Sequence, residues 1–99
     1  MITQKEITLP YFERGYHLVS DIIKKNLSKL PENGILNIFI KHTSAAISIN
    51  ENADPSVRTD METFINYLIP DGHNLFTHTA EGEDDMPAHI KSSFLGQSI

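Results

Sequence analysis

The sequence predicts an α+β domain in which about three helices pack on a thin sheet of about four strands. Three observations lead there. Alternating or β-branched apolar stretches mark the strands. Two helix-start signals and one amphipathic stripe mark the helices. A chain of 99 residues with 39% hydrophobic content suits one small domain and excludes two, so residues 1–99 are read as a single domain.

The first strand lies at the N-terminus, where Ile2, Gln4, Glu6 and Thr8 alternate with Thr3, Lys5, Ile7 and Leu9 until Pro10 stops ladder pairing. From Gly15 the period changes. Val19, Ile22, Ile23, Asn26, Leu27 and Leu30 recur at helical spacing, with Lys24, Lys25 and Lys29 outside, which predicts a helix over residues 15–29. Pro31-Glu32-Asn33-Gly34 is a turn. Residues 34–41 and 45–51 are the next two strands. The short His42-Thr43-Ser44 link between them favours an antiparallel or continuing arrangement over a crossover. Asp54 as N-cap and Pro55 at the first helical position open a second helix over 54–69, with Val57, Met61, Phe64, Ile65 and Leu68 on its core face. A weak strand lies near Asn74 to His78. The last helix starts at Asp84-Asp85-Met86-Pro87 and stops at Gly96. Only three residues follow, where an α+β domain runs into another strand, so the chain reads as C-terminally incomplete.

The formal charge of −5 is uneven, since residues 1–50 hold six Lys/Arg against four Asp/Glu and residues 51–99 hold two against nine. An acidic second half argues against a nucleic-acid partner and suits a cation. With no cysteine there is no disulfide framework, thiolate metal site or Cys nucleophile, and a reducing compartment is expected. The N-terminus carries no signal-peptide pattern and the apolar runs are too short for a membrane span, so the protein reads as cytoplasmic with no membrane partner.

The polar residues gather at three junctions: Lys41 to Ser44 at a strand end, Asn50 to Asp54 before a helix, and His78 to Asp85 before another. Junctions of this kind bring imidazoles, carboxylates and free N–H groups to one rim. His78, Glu81, Asp84, Asp85 and His89 offer nitrogen and oxygen donors without sulfur, suited to Zn²⁺, Mn²⁺ or Mg²⁺. The spacing is not HExxH, so a shared ion requires the intervening loop to fold back. The alternative is a polar loop in which Asp85 caps the last helix. His42, with Thr43 and Ser44 behind it, is a candidate functional imidazole or simply a strand-end residue. Glu51 and Asp54 are a candidate carboxylate pair, although capping alone explains Asp54, and Asn50 and Asn52 suit a turn equally well. Ser44 lacks a nucleophile elbow. His17 and His73 read as surface residues.

Taken together, His42-Thr43-Ser44-Ala45-Ala46-Ile47, Asn50 to Arg58, and His78 to Ser93 closely resemble the YjbQ family, also called the secondary thiamine-phosphate synthase enzyme family. The resemblance covers nearly the whole chain. It implies a compact α+β fold with a largely antiparallel sheet and a homotrimer with sites near subunit boundaries. Family members continue past the Ser-Ser-Phe-Leu-Gly segment into further strands carrying a Gly-Thr-Trp-Gln-Gly-like and a Glu-His-Arg-like stretch, neither of which occurs here. The resemblance also implies a weak thiamine-phosphate synthase activity, a transferase joining a hydroxymethylpyrimidine pyrophosphate to a thiazole phosphate with loss of pyrophosphate. On that reading His42, Glu51 and His78 are catalytic, and Thr43, Ser44, Asn50 and Ser92 bind phosphorylated substrates. His78, Glu81, Asp84, Asp85 and His89 hold a divalent metal, Mg or Zn. The rival expectation is a non-catalytic trimer that binds a metal or phosphoanion through the same rim.

Overall fold

The computed structural model describes residues 2–99 and divides them into two compact units, one ending at Ile35 and the other Leu36–Ile99. In the first, α1 is Ser20–Asn26, shorter than the predicted 15–29. The hydrophobic stripe runs on, but the ends are weak. Val19 has no side chain to accept the free N–H groups of the first turn, and Leu27 already turns to extended backbone. Lys24 and Lys25 in the last turn complement the helix dipole.

The second unit contains α2 (Pro55–Leu68) and α3 (Asp85–Leu95), both within a residue or two of their predicted bounds. The start of α2 is the one the sequence encodes: Asp54 stays extended, and its Oδ1 accepts the Ser56 N–H at 2.9 Å. That bond holds the Asp54 carboxyl below its ordinary value, so the cap is formed above the ordinary Asp value and is lost as pH falls through the lowered one. The end of α3 is set by Gly96, whose φ of 90° costs least without a side chain; its N–H donates to the Ser92 carbonyl at 2.9 Å. Across the pair of helices, Lys91 Nζ donates to Asn66 Oδ1 at 2.5 Å.

The predicted largely antiparallel sheet is not formed, and this part of the sequence reading is corrected. Among the described residues β-pairing is limited to one antiparallel bridge, Phe39 with Ser98, flanked by bonds from Ile38 to Ile99 and from Ile40 to Gln97. The stretches at 2–9, 45–51 and 74–78 have strand-like patterns but make no ladder. The reason is local competition for backbone groups. The His42 N–H turns back to the Ile40 carbonyl at 3.0 Å, and the Ser44 N–H is taken by His42 Nδ1, also at 3.0 Å, so the link does not act as a hairpin. Beyond it, α3 takes the place of a neighbouring strand. Ser92 Oγ donates to the Ala45 carbonyl at 2.7 Å, and the Ile47 N–H donates to the Gly96 carbonyl at 3.0 Å.

Burial is shallow. Among the described residues only Pro87 and Ser92 are fully buried, and no large apolar side chain is. Val57, Met61 and Ile65 of the α2 stripe are half-buried, whereas Phe64 and Leu68 are exposed.

Candidate metal centre

Asp85 is the first residue of α3 and His89 lies four residues later, so both side chains rise from one helix face. His78 belongs to the loop before them, and that loop folds back. The Gly72 N–H donates to the Glu83 carbonyl at 3.2 Å, and the Gly82 N–H to the Thr79 carbonyl at 3.2 Å. Gly82 has φ 113°, a conformation that side-chain-bearing residues rarely adopt. His78 is thereby carried to the helix start.

The outcome is a two-histidine, one-carboxylate cluster. His78 Nε2 lies 2.7 Å from Asp85 Oδ2 and His89 Nε2 3.2 Å from the same oxygen. The two imidazole rings are 5.6 Å apart at 74°, and the three donor atoms lie within 4.8 Å of one another. Asp85 is held below its ordinary value, first by the hydrogen bond from His78 and less by the charge of His89, against desolvation that pushes the other way. Its carboxylate is therefore ionised and ready to bind a cation.

The decisive contact is on the far side of His89. Its Nδ1 lies 2.9 Å from the Thr43 carbonyl oxygen, which can only accept, so Nδ1 donates. Nε2 of the same ring faces Asp85 Oδ2 at 3.2 Å, a gap that either a proton on Nε2 or a metal cation between the two atoms would bridge.

Of the residues singled out in the sequence, His78, Asp85 and His89 converge. Glu81 stands at the edge, with Oε2 4.0 Å from His78 Nε2. Asp84 is outside the converging donors. Thr43 takes part through its carbonyl oxygen, a role no side-chain pattern announces. His42 and Ser44 engage each other, Ser44 Oγ lying 3.1 Å from His42 Nδ1. Asn50 spends its Oδ1 on the Glu51 N–H at 2.7 Å. Ser92, 2% exposed, is occupied by the Ala45 carbonyl and by Gln97 Nε2. His73, read as a surface residue, lines a cleft that also borders His78. The helical spacing of Asp85 and His89 was the available signal for the pair, and the loop closure had none.

Similarity to known proteins agrees with the motif resemblance. The family described as UPF0047 protein YjbQ-like matches residues 5–99. The UPF0047 protein YjbQ of Escherichia coli O157:H7 is 49% identical over 98 residues, covering 97% of this chain and 70% of the relative. A UPF0047 protein of Methanocaldococcus jannaschii is 54% identical over 67 residues, 68% of this chain and 46% of the relative. The crystal structure of a conserved hypothetical protein from Thermus thermophilus superposes with a TM-score of 0.74 at 27% identity, over 86% of this chain and 64% of that one. The chain thus matches between 46% and 70% of the length of these proteins. Their names give a family and no reaction, and the expected thiamine-phosphate synthase activity is corrected accordingly.

No helix among the described residues is long and apolar enough to cross a membrane.

Proposed function

The chain belongs to the YjbQ-like UPF0047 family, and from that premise and the cluster geometry we propose that it binds one divalent transition metal through His78, Asp85 and His89. The observation that carries this is the placement of His89, whose Nδ1 donates to the Thr43 carbonyl at 2.9 Å so that Nε2 is turned toward Asp85 and His78. A carbonyl or carboxylate behind a ligating imidazole is the usual outer support of a zinc site. Two imidazoles and one carboxylate favour Zn²⁺ over Mg²⁺, which prefers oxygen donors and water. Three protein ligands leave a position for water or a small oxygen ligand, which the ion would polarise. The absence of cysteine supports a reducing compartment, the cytoplasm.

Cobalt titration tests the reading. The chain, freed of metal by chelation, is expected to take up one equivalent of Co²⁺ with visible absorption of a tetrahedral or five-coordinate site, and one equivalent of Zn²⁺ should bleach it. Uptake no greater than that of a His78→Ala/His89→Ala double variant would defeat the proposal.

A homotrimer is the second reading, favoured by a separate observation: Phe39, Ile49, Leu75 and Phe94 are 63%, 82%, 80% and 76% exposed in the single chain. Apolar groups left in water on this scale drive association. Sedimentation equilibrium is expected to give the mass of three chains, and a monomer mass up to high concentration would refute it.

A further inference from the structure

A half-open cleft of about 340 Å³ borders the cluster, with His78 as a shared wall. That volume is near the lower end of ligand pockets, the size of a small metabolite rather than a nucleotide or peptide. Gly72 lets a carboxylate into it. A Cβ at this position would sit 3.1 Å from Glu83 Oε2 and 3.3 Å from its Cδ, and the backbone φ of +67° disfavours any side chain there. The Gly72 N–H to Glu83 carbonyl bond at 3.2 Å ties the two residues together, so Glu83 is laid against bare backbone at the cleft.

The other walls supply donors and an aromatic surface. His73 Nδ1 accepts the Leu75 N–H at 3.1 Å, which leaves its proton on Nε2 as a donor. The rings of His73 and Phe76 stand 5.4 Å apart at 42°. Once His78 gives Nε2 to a metal, its own proton lies on Nδ1, a second donor. The Asn74 amide can donate or accept. The inventory therefore holds both signs: the imidazole donors of His73 and His78, with the metal site on the far side of His78, and the carboxylate of Glu83.

Resting on the metal reading above, we infer that this cleft takes a small zwitterion, its oxyanion coordinated toward the metal and the imidazole donors and its ammonium group held by Glu83. A plain carboxylate would leave Glu83 facing it without a counter-charge, and a plain amine would leave the metal's open position to water.

Calorimetric titration of the zinc-loaded chain separates these cases. The probes are glycine, 4-aminobutyrate and 6-aminohexanoate, each beside its counterpart without the amine (acetate, butyrate, hexanoate), together with butylamine. At least one amino acid is expected to bind about tenfold tighter than its amine-free partner and than butylamine. Glu83→Gln should erase that advantage while zinc stoichiometry stays at one. If zinc binds and every amino acid matches its amine-free counterpart, or none of the probes gives heat, the zwitterion inference is overturned and the metal centre stands. If the chain takes no zinc at all, the metal reading falls and this inference falls with it. The length series on the unsubstituted protein keeps the test decisive should Glu83→Gln fail to fold.

Discussion

Asp85→Ala and His89→Ala are each expected to lower the zinc affinity of the chain by about 100-fold or more, since even groups that only support metal ligands are worth 10- to 100-fold. Each residue supplies one of the three converging donor atoms, and Asp85 Oδ2 is the atom both imidazoles approach. Asp85→Ala also removes the charge that sits between them. Glu81→Ala makes the informative control, because its carboxylate stands 4.0 Å from His78 Nε2 at the edge of the cluster. It should change affinity by no more than about threefold. Competition against a chromophoric chelator reads all three. If Glu81→Ala lost as much affinity as Asp85→Ala, the ligand set would be wrong.

The second large effect is on stability. Ser92→Ala is expected to cost about 1–3 kcal/mol, the penalty for leaving buried polar partners unsatisfied. The hydroxyl donates to the Ala45 carbonyl at 2.7 Å and accepts from Gln97 Nε2 at 2.6 Å, in a position that is 2% exposed. Truncation leaves the Ala45 carbonyl without this donor and takes one of two bonds from Gln97 Nε2, which also donates to the Ser92 carbonyl at 2.9 Å. The neighbouring Ser93 is exposed, and Ser93→Ala should stay within about 0.5 kcal/mol. Urea denaturation of the two variants distinguishes them, and equal midpoints would show that the Ser92 bonds carry no stability.

The helices were legible where the signal is chemical and local. Asp54-Pro55 and Gly96 mark boundaries through a side-chain acceptor, a fixed φ and a missing Cβ, all properties of single residues. The sheet was not, because alternation reports that a stretch suits a pleated surface and says nothing of whether another stretch arrives to pair with it. Residues 45–51 carry the pattern, yet Asn50 and α3 claim backbone groups there, and His42 claims that of Ser44 just before them. The donor types of the proposed metal site were also readable, and His78, Asp85 and His89 all stood among the candidates. What selected these three over Asp84 and Glu81 was loop closure by the backbone of Gly72 and Glu83 and the carbonyl of Thr43, and peptide groups leave no mark in a sequence. The motif resemblance correctly pointed to the family, but an activity does not travel with a fold.

The docking of α3 has a consequence for colloidal behaviour. Three alternate residues, Thr43, Ala45 and Ile47, each hand a backbone group to this helix: to the His89 ring, the Ser92 hydroxyl and the Gly96 carbonyl. An isoleucine- and alanine-rich segment with free backbone groups at those positions would be a template for a foreign strand, the starting point of fibrillar stacking. With one backbone group of each already taken, a second chain finds an interrupted row of partners along that border. The same helix that carries Asp85 and His89 thus shields part of this border from strand addition.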